Sequence, residues 1–278
     1  MTVKSLSHDG RGIAHIDGKV VFIEGALPGE EVEISIVRRY RRYDIAALER
    51  VLAPSPQRLE PGCRHFGVCG GCSLQHMPAE LQIKSKQDTL AEQLKRIGKV
   101  EPQEWLTPLT GPVWGYRRRA RLGVRLMMSQ GGVFVGFREK RRAQLANLDA
   151  CPVLDPVMSG WLPALHELVA GLSCADRIPQ IELASGDNAR ALVFRHLLPF
   201  SVADQAALRA FGELHQVQIY TQADTPATAI ALWPAQPEPL FYTLPDGTVI
   251  HFRATDFVQV NADINAKMVA QALRLLDL

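Results

Sequence analysis

Along residues 31–37, Glu-Val-Glu-Ile-Ser-Ile-Val, apolar and polar side chains alternate at period two, which predicts a strand with one face in a core and the other in water. Shorter apolar runs at 13–16 and 20–23 flank Asp17-Gly18, a dipeptide that favours the left-handed turn joining two antiparallel strands. Gly10, Gly12 and Pro28-Gly29 punctuate the same region. Together these signals predict a small β-barrel over residues 1–55, followed by a Pro54-Ser55-Pro56 linker.

The pattern changes beyond the linker. Pro78 suits the first turn of a helix over 78–97, with Leu90, Leu94 and Ile97 on one face and Gly98 as a stop. A second helix is expected over 156–169, with Trp161, Leu165, Leu168 and Val169 inward. Ser201 and Asp204 form a capping-box variant that opens a third helix through Leu208, Phe211 and Leu214. Strands are expected at 133–137, 181–184, 191–196 and 217–220, and Asp246-Gly247 joins 241–244 to 249–252 as a hairpin. The last element is an amphipathic helix over 262–276, with Ile264, Met268, Val269, Ala272, Leu275 and Leu276 on or near one face and Asn261 as its N-cap. The class is α+β.

Composition narrows the setting. The chain has 278 residues, 47% apolar and 22% charged, which is enough for two domains and rules out a disordered or membrane-embedded protein. It holds no apolar run of the roughly 20 residues a spanning helix needs, and no signal-peptide core near its start. A cytoplasmic monomer with no membrane partner is the expectation, and there thiols stay reduced.

Net charge is only +2, but its distribution is uneven. Residues 111–142 hold nine Lys or Arg against Glu139 alone, whereas residues 143–278 hold seven bases against fourteen acids. A positive field confined in this way suits a polyanion crossing one face. Within it, Arg117, Arg119, Arg121 and Arg125 share one side of a predicted strand and could follow a nucleic-acid backbone; an ordinary charged sheet face is the competing reading. A second basic run, residues 38–43, interleaves Arg38, Arg39, Arg41 and Arg42 with Tyr40 and Tyr43, pairing phosphate ligands with rings that can stack on an unpaired base; a solvated turn competes with that reading.

Three of the five cysteines fall within CRHFGVCGGC, as Cys63, Cys69 and Cys72, and Cys151 follows far downstream before Pro152. A two-residue gap lets two thiolates reach one metal from a tight turn, and four thiolates suit a cubane iron–sulfur cluster or a tetrahedral zinc site. The surrounding glycines, the Cys-Pro pair and the absence of a second CxxC favour iron and sulfur, while zinc stays open on spacing. Cys174 lies outside the pattern and reads as a structural thiol. Gln259 and Asn261 could read a base edge or a cofactor, and equally serve as turn and cap residues.

Taken in order, GRGIAHIDGKVVFIEGALPGEEVEI, CRHFGVCGGCSLQH, GYRRRARL, CPVL and DFVQVNADIN resemble the RNA uracil-5 methyltransferases, in the type acting on 23S ribosomal RNA, along essentially the whole chain. The resemblance implies an OB-like TRAM barrel over 1–55, an iron–sulfur and RNA-binding central domain over 56–255, and the start of a Rossmann-like methyltransferase domain over 256–278. It implies a [4Fe-4S] cluster on Cys63, Cys69, Cys72 and Cys151, S-adenosylmethionine near Gln259, and RNA contacts at Phe257, Arg117, Arg119, Arg121, Arg41 and Tyr43. In the family a cysteine thiolate adds to uracil C6, C5 takes the methyl group, and a carboxylate removes the C5 proton before the enzyme is released. None of the five cysteines here matches that nucleophile, which the family carries in a domain beyond the DFVQVN helix. The expectation is therefore a front portion that does not methylate uracil by itself. The alternative is a stand-alone RNA-binding module with a structural four-cysteine metal site.

Overall fold

The computed structural model describes residues 1–127 and 132–277 and divides into two compact units, Met1–Pro108 and Leu109–Leu278.

In the first unit, β1 (Ser5–Leu6), β2 (Gly12–Ile16), β3 (Lys19–Ile23), β4 (Glu31–Arg39) and β5 (Tyr43–Ala53) form one sheet in the order β1-β2-β3-β5-β4. All pairs are antiparallel except β3 with β5. A bridge between Thr2 and Glu31, with the Val3 N–H on the Glu30 carbonyl (2.9 Å), joins the first residues to β4 and closes the sheet into a barrel. Closure removes the free edges that would otherwise invite pairing with other chains. Val3, Ala14, Val21, Ile23, Val32 and Ala46 fill the interior, as the alternation of the strands requires. Asp17 and Gly18 take positive φ at the β2–β3 turn, as expected of that dipeptide.

Glu30 fastens the linker to this barrel. Its carboxylate is fully buried and accepts from Arg58 Nε (2.6 Å), Arg58 Nη2 (2.8 Å), the Leu27 N–H (2.8 Å) and the Ser55 N–H (3.2 Å). Arg58 also donates to the Gly25 carbonyl at 2.7 Å.

After the cysteine loop comes α1 (Ala79–Gln93), shorter than the expected 78–97. The chain widens into a single π-helical stretch, Leu94–Gly98, and it is Lys99, not Gly98, that adopts the left-handed stop. No residue of α1 is fully buried, and Leu90 and Ile97 are exposed.

The second unit is built on a six-stranded sheet in the order β11-β10-β9-β8-β6-β7. Its strands are β6 (Arg119–Met127), β7 (Gly132–Gly136), β8 (Gln180–Ser185), β9 (Arg190–Arg195), β10 (Gln218–Gln222) and β11 (Ala229–Trp233). Only β9 and β10 are parallel, with α4 (Val202–His215) as their crossover. The hairpin β12 (Leu240–Thr243) and β13 (Val249–Phe252) and the helix α5 (Ala262–Leu276) complete the unit. The expected helix over 156–169 divides into α2 (Pro156–Gly160) and α3 (Leu162–Gly171) around Trp161. Pro163, in the first turn of α3, lacks the N–H that would continue the α2 ladder, and its ring constrains the residue before it. Among the described residues no helix is long and apolar enough to cross a membrane.

The capping box at Ser201 and Asp204 forms as the sequence predicts, and it also holds a second loop. Asp204 accepts from Ser173 N–H (2.8 Å), Ser173 Oγ (2.6 Å), Ser201 Oγ (2.7 Å) and Ser201 N–H (3.1 Å). Burial alone raises its pKa, but these hydrogen bonds prevail and bring it down to about 2. A folded pKa below the unfolded value of about 3.9 contributes stability that is fully present above that value and is lost as pH falls toward 2. Asp204→Asn should therefore lower stability at pH 7 by about 2 kcal/mol, and its gap to the wild type should shrink as pH drops from 4 to 2, about the range of the two pKa values, in urea melts.

Candidate RNA-contact surface and cysteine sites

The basic run at the end of β4 is organised by its rings. Tyr40 and Tyr43 stack on each other, with centroids 4.6 Å apart and planes 26° apart, and Phe22 meets Tyr43 edge-on at 5.5 Å. The Arg38 guanidinium lies 4.9 Å over the Tyr40 ring and Arg11 lies 4.6 Å over Phe22. Asp44 is buried beside them; the hydrogen bond from Lys19 Nζ (2.6 Å), and the charges of Lys19 and Arg39, hold its carboxyl below the usual range. Arg41 and Arg42 are exposed at the tip. Tyr40 thus covers one face of the Tyr43 ring, which stays partly exposed, while the neighbouring arginines supply the accessible charge.

In the second unit, β6 begins at Arg119, two residues later than the sequence suggested at Arg117. Arg117 instead makes backbone bridges to Leu154 and Asn261. Along β6, Ala120, Leu122 and Val124 are buried and Arg119, Arg121 and Arg125 take the other side, as alternation requires. The row is not uniform. The buried Glu182 carboxylate, on the neighbouring strand β8, accepts from Arg119 Nη2 (2.8 Å), Arg121 Nε (3.2 Å) and Gln180 Nε2 (2.9 Å), with Arg121 Nη2 in ion-pair contact at 3.0 Å. Arg119 is only 13% exposed, and burial lowers its pKa against the opposing pull of Glu182; Arg121 stays 66% exposed. Sequence spacing placed these arginines on one face, but it carried no sign of Glu182, which lies more than sixty positions away and pairs with Arg121 across the ladder.

Residues 254–261 lie against the same strand. Ala254 and Val258 are buried, while Phe257 is 82% exposed and Gln259 is also exposed. Arg253 and Asp256 clasp each other, and the hydrogen bonds from Arg253 keep the Asp256 carboxyl below its ordinary range. Asn261 caps α5 as expected, its Oδ1 accepting from the Ile264 N–H at 3.1 Å. No residue of α5 is buried, and Met268, Leu275 and Leu276 are exposed.

The cysteines divide between the units. In the first, Cys69 is buried, Cys63 and Cys72 are partly buried, and the Gly71 N–H points at Cys69 Sγ from 3.4 Å, a contact that favours a thiolate. The Cys63 N–H is held by Gln75 Oε1 at 3.1 Å. In the second unit Cys151 is buried, its N–H held by Ser159 Oγ at 2.9 Å. Among the described residues no cysteine is in a disulfide, and thiolates are soft ligands. Among the described residues, no three His, Cys, Asp or Glu side chains gather into a group that could hold a metal ion. Cys174 is buried, and burial together with the Asp204 charge pushes its thiol up, as suits a structural residue.

Residues 1–47 match the TRAM domain family. The 23S rRNA (uracil(1939)-C(5))-methyltransferase RlmD of Aromatoleum aromaticum is 52% identical over 276 residues, which cover 99% of this chain and 64% of that protein. The RlmD of Nitrosococcus oceani is 50% identical over 278 residues, 100% of this chain and 62% of that protein. The fold resembles that of the Pyrococcus abyssi tRNA (uracil-54, C5)-methyltransferase, solved in complex with S-adenosyl-L-homocysteine, with a TM-score of 0.69 at 18% identity over 99% of this chain and 64% of that one. The chain thus spans under two thirds of the length of the relatives it matches. On sequence, therefore, the chain is similar along its whole length to 23S rRNA (uracil(1939)-C(5))-methyltransferases of the RlmD type.

Proposed function

We propose that the chain serves the S-adenosylmethionine-dependent C5 methylation of a uridine in 23S ribosomal RNA, as the portion that grips the RNA and carries an iron–sulfur centre. The observation that carries this reading is an exposed arginine, Arg121, on the strand whose Arg119 holds the segment that exposes Phe257 and Gln259. Guanidinium groups meet phosphates, an exposed ring can stack on an unpaired base, and the amide of Gln259 offers donor and acceptor to the cofactor or the target base. On the barrel, Arg41 adds positive charge beside the stacked rings of Tyr40 and Tyr43. None of the five cysteines is assigned the nucleophilic role.

The cluster belongs to the same reading. Cys63, Cys69, Cys72 and Cys151 would hold a [4Fe-4S] centre; their thiols fit it in kind and number, and the Gly71 N–H on Cys69 supports the thiolate form. When bound, the centre would take the four thiolates as its iron ligands. The domain plan that accompanies this reading is the barrel over 1–55, the iron–sulfur and RNA-binding region over 56–255, and the methyltransferase portion from 256.

Binding of a labelled single-stranded fragment of 23S ribosomal RNA, followed by fluorescence anisotropy across a salt series, tests the RNA half. Affinity should fall steeply with salt, and replacing Arg41 and Arg42 together by Ser should reduce the logarithmic slope by about 1.4, the value for two lost contacts to a single strand. Affinity that ignores both salt and the double replacement overturns the reading.

A further inference from the structure

Arg117, Arg118 and Arg119 are consecutive, and each grips residues 254–261 at a different point. Arg117 bridges Asn261 through the backbone, the Arg118 N–H donates to the Val260 carbonyl at 2.9 Å, and Arg119 Nη1 donates to the Ala254 carbonyl at 2.8 Å. Three adjacent residues of extended chain span no more than about 10 Å, so one short piece of β6 and its approach fastens both ends of an eight-residue excursion. The middle of that excursion carries the exposed Phe257. Two of the three fastenings use the backbone and survive any side-chain change. The third is the Arg119 guanidinium, which holds the Ala254 end from β6 through its carbonyl.

Glu182 decides what each guanidinium can do. Its carboxylate is 7% exposed and has one oxygen toward Arg119 and the other toward Arg121 and Gln180. Two arginines and one carboxylate sum to a single positive charge. Arg119, 13% exposed and committed on one side to Glu182 and on the other to a carbonyl, has little surface left for a phosphate; Arg121, 66% exposed, keeps donors directed to solvent. The planar fork of arginine is what allows Arg119 to reach two acceptors at once, which a lysine ammonium on a flexible stem does not reproduce.

We propose that Arg119 is a positioning residue that fixes the segment bearing Phe257 and Gln259, that Arg121 is the one of these two that meets the RNA backbone, and that the buried Glu182 divides the two roles. The Arg121 half rests on the RNA-binding reading given above; the Arg119 half does not.

Hydrogen exchange read by mass spectrometry, together with RNA binding across a salt series, separates the assignments. Arg119→Gln and Arg119→Lys should each speed amide exchange in residues 254–261 by about tenfold, leaving β8 and β9 protected as in the wild type. Both should weaken RNA binding by a similar factor at every salt concentration, with the slope unchanged. Arg121→Gln should leave exchange in the segment as it was and reduce the salt slope by about 0.7, the loss of one contact. Arg119→Lys keeps the charge opposite Glu182 and so remains informative if Arg119→Gln fails to fold. Wild-type exchange in Arg119→Lys, or a slope reduced by Arg119→Gln as much as by Arg121→Gln, overturns the proposal. A wild-type chain with no RNA affinity sinks the RNA reading and the Arg121 assignment together, while the exchange result still decides whether Arg119 holds the segment.

Discussion

Replacing Cys69 by Ser should strip bound iron and acid-labile sulfide from anaerobically purified protein to a tenth or less of the wild-type content, with loss of the visible absorption. A serine hydroxyl is a hard, neutral donor where the centre demands a soft thiolate. Cys69 is the most buried of the three loop cysteines and receives the Gly71 N–H, so in the proposed centre its loss would remove both a ligand and the hydrogen bond that tunes it. Cys63→Ser, Cys72→Ser and Cys151→Ser should follow it. Cys174→Ser should keep the full complement, because that thiol lies outside the proposed ligand set and burial holds it in its protonated form. Bound zinc without sulfide in the wild type would replace the cluster by the other four-thiolate centre, and a full iron content in Cys69→Ser would remove Cys69 from the set.

Arg58→Ala should destabilise the protein by about 3–5 kcal/mol, the cost of leaving a buried carboxylate without its cation. Glu30 is completely enclosed, and burial by itself raises its pKa; the hydrogen bonds from Arg58, Leu27 and Ser55 outweigh that and keep it ionised. Removing Arg58 withdraws a two-pronged contact and leaves two backbone donors facing a charge they do not neutralise. Glu30→Gln in the Arg58→Ala background should recover part of the loss, since it removes the unpaired charge while retaining the shape. Guanidinium melts of the two variants and their combination provide the double-mutant cycle, and additive losses would mean the two side chains do not act as a pair.

The barrel was legible because its signals are local. Alternation at 31–37, the Asp17-Gly18 turn and the glycine punctuation are each contained within a few residues, and the strands formed where these placed them. The caps at Ser201 and Asn261 were readable for the same reason, since a cap lies within three residues of its partner. β11 was missed because Ala-Ile-Ala-Leu-Trp sits at the edge of the sheet, where alanine weakens the strand signal and no clean alternation remains. Trp161 was read into one helix because its burial satisfies helical spacing, whereas the interruption comes from Pro163. The roles within the arginine row were illegible for a deeper reason. Position along a strand determines the face, but only the fold brings Glu182 and the Ala254 carbonyl to particular guanidinium groups. Tyr43 shows the same limit, since nothing in its neighbourhood of sequence reveals that Phe22 and Tyr40 pack against its ring.

The stretch that matches the TRAM family ends at Ala47, in the middle of β5, which continues to Ala53. Excising the barrel at that match boundary would sever a strand paired on both sides and discard the counter-ion of Glu30. A cassette that keeps these contacts must instead run at least through Arg58, so it is longer than the stretch that matches the TRAM family.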